Sequence, residues 1–343
     1  MSTPANENAT SGGKRPAALE LGPRKKSRAS DPLMSTGRHF CRTTFAMCHP
    51  IALLTNGLAR ELELEDKSLE DFNAKERLEH AVFKELLRMV PGLEERIQDV
   101  AELEIVADSL RQGGASARGD DTKGLKGVII DWITPKGGSL TPPLSRNSKI
   151  TRGFNHEATG SLLCPTYMDW SDPETKSGLQ TGAIAVPGDA WPIFLFAGLA
   201  YDENDPWKGL FRSQLLLNAY KFVFTSPSSV DRDASKATRS GNARLHGMTR
   251  TTRASIAYIA TQVRFALCSA SVFARTDTVT DSERFYLTVL EILSDPDEAK
   301  EVGELLEWWD SEVFATFAKP LRSVSSNCVM QKIRAKRQSA SAH

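Results

Sequence analysis

Hydrophobic residues recur at helical spacing over much of the chain, and the most apolar stretches lie between residues 207 and 268. Residues 207–224 have large apolar side chains on most of the helical circumference, which is typical of a helix buried inside a domain. Residues 252–268 carry one clean apolar stripe, and none of residues 254–263 is charged. Both patterns predict central helices of a hydrophobic core.

Further helices are predicted on both sides of this pair. After it, the capping-box spacing of Thr280 and Glu283 predicts a helix start, and an apolar stripe predicts the last helix over residues 296–314. The helices predicted before it cover residues 53–64, 69–90 and 93–110. Gly113 and Gly114 are expected to end the third of these, with a short buried piece following at residues 125–133.

The sequence shows no convincing strand alternation and no internal repeat. It therefore predicts a mainly α fold, a single helical domain with long irregular loops and disordered basic termini. The expected divisions are a disordered basic tail at 1–40, N-terminal helices at 41–115, a main helical domain at 116–318 and a basic C-terminal tail at 319–343. Trp207 and Ile259 are predicted core anchors.

The connection between the two central helices, residues 225–251, is longer than the usual limit of about 12–15 residues for a structureless loop. Residues 232–253 contain six arginines and lysines against one aspartate, interspersed with hydroxyl residues and glycines. Arginine forks, hydroxyls and accessible backbone N–H groups suit phosphate oxygens. The predicted anion-binding residues are Lys236, Arg239, Arg244, His246 and Arg250.

An alternative reading of this loop is a solvated connection whose arginines pair with acids elsewhere in the fold. Residues 277–312 supply such acids, with 12 carboxylates against two basic residues. The pKa of His246 is expected to be depressed if the neighbouring cations lie close in space. His246 then either touches phosphate or caps a turn.

The net charge is zero, with 43 residues of each sign, but the charges are segregated along the chain. Two basic clusters near the N-terminus resemble a bipartite nuclear import signal. They consist of Lys14, Arg15, Arg24, Lys25, Lys26 and Arg28. The alternative is a tail that binds polyanions without specificity.

Cysteine use and hydropathy predict a protein that is neither secreted nor inserted in a membrane. The five cysteines are an odd number without a short pairing pattern, which fits free thiols in a reducing compartment. The N-terminus lacks an apolar signal core, and no run approaches the roughly 18 apolar residues of a membrane span. An intracellular location is therefore expected, and the basic clusters favour the nucleus.

Several motifs between residues 153 and 314 resemble an uncharacterised family, a domain of unknown function expanded in mushroom-forming fungi. The segments that carry the resemblance are residues 164–173 with Asp169-Trp170-Ser171-Asp172-Pro173, residues 205–213 with Asp205-Pro206-Trp207-Lys208-Gly209, residues 225–229, residues 236–248, residues 254–265 and residues 275–286. The resemblance implies a fungal, intracellular protein. It carries no known activity, so it assigns no catalytic residue.

The chain contains no phosphate-binding loop, dinucleotide fingerprint or nucleophile elbow. Cys41, Cys48 and His49 lack the spacing of a zinc site, so neither a metal nor a cofactor is predicted. His156 beside Glu157 could act as a general base, although a turn-stabilising role is favoured. No catalytic constellation is recognisable, and an enzyme is the least favoured class.

Two classes of function remain. The favoured one is a nuclear protein that binds nucleic acid, DNA or RNA, or another polyanion through the arginine-rich loop. The alternative is an intracellular protein–protein interaction module without enzymatic activity, whose acidic helices bind protein partners. Salt dependence separates them, because phosphate contacts release counterions and weaken steeply as salt rises.

Overall fold

The computed structural model describes residues 32–226, 230, 241–273 and 281–314, together with the isolated positions 329, 333 and 337. Helices dominate these ranges, and strand pairing within them is limited to two isolated bridges, Pro165 with Pro192 and Phe196 with Leu210. The predicted mainly α fold is confirmed. None of the helices in the described ranges has the length and apolar character needed to cross a bilayer.

Twelve α-helices lie in the described part of the chain. They are α1 (Pro32–Thr43), α2 (Pro50–Glu63), α3 (Ala74–Met89), α4 (Leu93–Arg96), α5 (Val100–Ile133), α6 (Glu157–Leu163), α7 (Pro173–Thr181), α8 (Gln214–Tyr220), α9 (Asn242–Leu245), α10 (Arg253–Leu267), α11 (Ser282–Ser294) and α12 (Ala299–Val313). A π-helical turn, Lys221–Thr225, extends α8. Short 3₁₀ turns precede several of the helices.

The helices enclose two hydrophobic clusters. The N-terminal core, formed by α1–α5, comprises Leu33, Phe40, Leu53, Leu54, Val82, Phe83, Leu86, Leu93, Ile97, Val106, Ala107 and Leu110. The main core is larger and collects buried residues from the second half of α5, from α8 and from α10–α12. Helix α10 lies at its centre, because residues 254–267 are all buried. Thr252 caps this helix by accepting the backbone N–H of Ser255.

Helix α5 differs from the prediction, because it continues through Gly113 and Gly114 to Ile133. The glycines serve helix packing instead of ending the helix. A Cβ on Gly113 would lie 2.4 Å from the Met34 carbonyl oxygen, and one on Gly37 would lie 2.8 Å from the Leu110 carbonyl oxygen. Only glycine allows α1 and α5 to approach backbone to backbone at this crossing.

The predicted helix over residues 207–224 also needs correction, since α8 begins only at Gln214. Gly209 and Phe211 have left-handed backbone angles, with φ of 75° and 54°, which interrupt any helix before that point. Ser213 then caps α8 by accepting the backbone N–H of Leu216. Ile259 is fully buried, whereas Trp207 is only half-buried and packs at the edge of the main core.

The boundary of the predicted disordered tail at residue 40 is wrong for its last residues. Residues 32–40 belong to α1, and Leu33 and Phe40 are buried in the N-terminal core. The run of apolar positions in these residues is short and follows a polar stretch. The sequence pattern alone therefore does not predict a helix here, and its packing against α5 becomes visible only in the structure. The six residues of the predicted import signal lie outside the described residues, as does Thr280 of the predicted capping box.

Candidate anion-binding surface

The two ends of the arginine-rich loop meet at a tightly packed junction. Asn242, the first residue of α9, donates its side-chain N–H to the Val223 carbonyl at 2.5 Å. A Cβ on Gly241 would lie 1.6 Å from the Thr225 carbonyl oxygen, so only glycine fits against the π-helical turn. Residues 223–225 and 241–242 therefore lie together on a helical base. Binding loops are typically anchored on such a rigid scaffold.

The predicted anion-binding residues divide into two groups. Lys236 and Arg239 lie outside the described residues. Arg244 on α9 and Arg250 before α10 are exposed, and so is Arg253 at the first position of α10. Among the described residues no hydrogen bond or ion pair engages these three guanidinium groups, so they remain available to an external anion.

Within the described residues, the side chain of His246 has no hydrogen bond or ring contact with the side chains of Arg244 and Arg250. Its ring stacks on His39 of α1, with centroids 4.3 Å apart and planes 6° from parallel. Burial lowers the pKa of His246, and Arg42 and Arg38 lower it further. Burial also lowers the pKa of His39 to about 4, with added contributions from His246 and Arg42. Both imidazoles are therefore neutral at pH 7, and His246 adds no charge to the arginines.

The expected depression of the His246 pKa is thus present, but with causes that the sequence did not indicate. The cations come from α1 and not from the flanking loop residues. His246 acts as a packing contact between α1 and the segment after α9.

A buried ionic network lies beneath the histidine pair. Arg42 donates two hydrogen bonds to Asp121 of α5, both at 2.8 Å, and Tyr258 of α10 donates a third at 2.6 Å. The hydrogen bonds with Asp121 raise the pKa of Arg42 although burial opposes the shift. Burial, followed by the Asp121 charge, raises the pKa of Tyr258. The network joins α1, α5 and α10. Its two charged groups, Arg42 and Asp121, pair with each other.

The acidic helix α12 contacts this region without neutralising the exposed arginines. Asp310 accepts the backbone N–H of Thr251 at 2.6 Å. Within the described ranges, no carboxylate of residues 281–314 forms an ion pair with Arg244, Arg250 or Arg253. The alternative in which α12 absorbs the charge of these arginines therefore has no support from these contacts.

The other candidate residues have structural partners. His156 accepts the backbone N–H of Ala158 at 3.1 Å, and its other ring nitrogen lies 2.7 Å from the Pro142 carbonyl. A carbonyl can only accept, so the second nitrogen is the donor. Both ring nitrogens are thus engaged, and the His156 side chain caps α6. Cys41 contacts Arg118, and no group of three metal-ligating side chains occurs in the ranges that the structure covers.

Two buried basic residues, Lys149 and Arg152, bind backbone carbonyls at the carboxyl end of α10, which is the end remote from the arginine-rich loop. Arg152 donates to the Ala266 carbonyl at 2.7 Å, and Lys149 donates to the Phe265 carbonyl. Burial lowers the pKa of Lys149 to about 8. Positive charge at the carboxyl end of a helix complements its dipole, so these residues stabilise the end of the central helix.

One protein-family model matches the larger part of the chain. The family model of DUF6698, a family of unknown function, matches residues 112–314, more than half of the chain. The chain belongs to this family. The match confirms a domain of unknown function and begins earlier than the motifs suggested. Neither the curated proteins nor the solved structures yield a match.

The DUF6698 match includes the loop ends and α8–α12, but it leaves out most of the N-terminal core. Arg38, His39 and Arg42 therefore lie outside the DUF6698 match, although His39 packs on His246 inside it. Sequence reasoning missed these three residues, because they fell in a stretch assigned mostly to a tail. The spacing of Arg38 and Arg42, one helical turn apart, was the only available signal.

Proposed function

We propose that this protein binds polyanions, with nucleic acid as the principal class, through the arginines at the base of the closed loop. The observation that carries the proposal is that Arg244, Arg250 and Arg253 are exposed and have no acidic partner among the described residues. Arginine forks bind phosphate oxygens in a bidentate manner. Lys236 and Arg239, which lie outside the described residues, add two positive charges to the same loop sequence.

Binding of the full chain to duplex DNA and to single-stranded RNA across a salt series tests this function. Replacing Arg244, Arg250 and Arg253 by Ala should weaken binding and make the logarithmic salt slope shallower by about 2–3, roughly one for each lost phosphate contact. The matched control removes three exposed lysines elsewhere, Lys75, Lys123 and Lys136. The control variant should retain most of the parent slope.

Equal binding by the arginine variant, the lysine variant and the parent would refute the proposal. Absence of binding to either nucleic acid near 50 mM salt would favour the interaction module instead. The melting temperature of each variant separates a lost contact from a lost fold. Because the three arginines have no described partner, their replacement should leave stability within about 0.5 kcal/mol.

A nuclear, fungal setting belongs to the same proposal, and the basic clusters before residue 29 support the nuclear part. Replacing Arg24, Lys25 and Lys26 by Ala should move a fluorescent fusion of the full chain from the nucleus to the cytoplasm. Replacing Arg334, Lys336 and Arg337 removes the same charge from the other end and serves as the control. An unchanged nuclear signal in the first variant would show that these basic residues are not a nuclear import signal.

A further inference from the structure

An open cavity of about 430 Å³ lies far along α12 from the loop, between α12 and the segment that precedes α8. One wall is formed by Glu301, Glu304 and Leu305 of α12. The other wall comes from the segment before α8 and consists of Asp205, Trp207, Lys208, Gly209, Leu210 and Arg212. Its volume is in the range of small-molecule sites. Neither the described part of the arginine-rich loop nor the histidine pair lines it.

The wall that carries Arg212 is unusually constrained. Phe211 is fully buried with a left-handed backbone, at φ 54°. Such a conformation costs about 1–3 kcal/mol in a non-glycine residue and persists only where the surroundings impose it. Here the Gly209 carbonyl accepts the Ala197 N–H at 2.8 Å, and Ser213 is committed to capping α8. Arg212 is thereby held between two fixed residues.

The charges of the cavity are of both signs and are not matched across it. The Nε atom of Arg212 is buried and has no hydrogen-bond partner among the described residues. Its guanidinium carbon lies 5.8 Å from the centre of the Trp308 ring. Lys208 is already paired with Asp202 at 3.0 Å, and Glu298 accepts the Trp207 indole N–H at 2.6 Å. Within the described part of the chain, no ion pair links Arg212 to Glu301 or Glu304.

We propose that this cavity binds a small ligand with a carboxylate at one end and a cationic group at the other, namely a basic α-amino acid. The guanidinium of Arg212 matches the planar geometry of a carboxylate. Glu301 and Glu304 complement the ammonium and the basic side-chain group. Trp207 presents an apolar surface to the aliphatic stem, which long basic side chains bury readily. Three lining carboxylates, those of Asp205, Glu301 and Glu304, against one free cation select a basic amino acid over a neutral or acidic one.

The proposal is independent of polyanion binding, because Glu301 and Glu304 would repel a phosphate chain. Calorimetric titration of the full chain with L-arginine and with L-lysine provides the test. Agmatine, which has the arginine side chain without the carboxylate, is the matched probe. Loss of one charged hydrogen-bonded contact should weaken binding about 10- to 100-fold, so agmatine and L-glutamate should both bind at least tenfold more weakly than L-arginine.

Two variants locate the binding to the cavity. Arg212→Gln should weaken L-arginine binding at least about tenfold and bring its affinity close to that of agmatine. Glu301→Gln combined with Glu304→Gln should weaken L-arginine and agmatine together. Arg253→Gln, which changes an exposed arginine on the polyanion surface, should leave amino-acid binding unchanged. Arg212→Gln should likewise leave nucleic-acid binding unchanged, so either proposal can fail alone.

No heat of binding with L-arginine or L-lysine at millimolar concentration would overturn the proposal. Equal affinity for L-arginine and agmatine would overturn it as well, because the Arg212–carboxylate contact would then be absent. Because Arg212 is partly buried, melting temperature and circular dichroism must first show that Arg212→Gln folds. If that variant does not fold, the comparison of L-arginine with agmatine on the parent chain still tests the proposed contact between Arg212 and the ligand carboxylate.

Discussion

The N-terminal core and the main core are built differently. The N-terminal core is aliphatic apart from Phe40 and Phe83. The main core contains three buried tyrosines whose hydroxyls are all hydrogen-bonded. Their partners are Ser255 for Tyr220 at 2.9 Å, Asp121 for Tyr258 at 2.6 Å and the Ala46 backbone N–H for Tyr286 at 3.1 Å.

The difference shows how the two cores are joined. Apolar packing is tolerant of small shifts, whereas buried hydrogen bonds require defined positions. Two of the three tyrosines connect the main core to the N-terminal part of the chain. Tyr258 shares Asp121 with Arg42 of α1, and Tyr286 accepts the backbone N–H of Ala46, just after α1. Helix α5 then passes through both cores without a break. The DUF6698 domain therefore holds the N-terminal helices by directional bonds and by one shared helix.

The largest expected effect concerns the buried ion pair at this junction. Replacing Asp121 by Asn should lower the free energy of unfolding by about 3–5 kcal/mol, because Arg42 stays buried without its counter-charge. The control is Asp120→Asn, which breaks only a surface pair with Arg38. That variant should cost less than about 1 kcal/mol. Urea unfolding measures both, and similar costs would mean that the buried pair does not hold the junction.

The second prediction asks whether the two cores unfold together. Leu54 and Ile259 are fully buried, one in each core. Replacing either by Ala should cost about 2–5 kcal/mol. Because α5 is shared, both variants should shift one common transition detected by circular dichroism and by tryptophan fluorescence. A separate early transition in Leu54→Ala alone would show that the N-terminal core is an independent unit.

A third, smaller effect is expected where α1 crosses α5. Gly113→Ala places a methyl group against the Met34 backbone, and such overpacking costs about 1–3 kcal/mol. Gly119 lies on the same helix with nothing within 4 Å of its added Cβ. Gly119→Ala should be stabilising by about 0.5–1 kcal/mol, because alanine favours the helix. Equal thermal shifts in the two variants would contradict close packing at the crossing.

The smallest effect is a pH dependence at the histidine pair. Folded His39 has a pKa of about 4 against an ordinary value of 6.5, so the unfolded chain binds the extra proton between these values. Stability should therefore fall as the pH drops through that window, by about 1–2 kcal/mol between pH 6.5 and pH 5. His39→Phe keeps an aromatic ring and should flatten this slope. An unchanged slope would show that His39 does not carry the dependence.

The local sequence pattern was sufficient to predict a helix where that helix is buried on most sides. The apolar stripe around Ile259 predicted α10 closely, because it depends on residues within a few positions of one another. The apolar stripe of α12 was equally clear. The arginines at 244 and 250 could be proposed for the same reason, since charge density in a long loop is visible without any partner.

Local pattern failed where the meaning of a residue depends on a distant one. Gly113 resembles a helix stop until the backbone of α1 is placed beside it. Asp121 lies in a polar, glycine-containing stretch, and nothing nearby predicts that it is buried against Arg42, 79 positions earlier. His39 could not be paired with His246 for the same reason, and the cavity at Arg212 exists only because α12 lies opposite.

The sequence by itself determined the helical class, the central helices and the placement of positive charge in one loop, because periodicity and composition act over short distances. Only the tertiary structure decided which charged side chains form ion pairs and which have no partner of opposite charge. It paired Arg42 with Asp121, left Arg244 and Arg250 exposed and held Arg212 without an acid. Desolvation and hydrogen bonding depend on neighbours in space, so the available charges of this protein become apparent only after the helices pack.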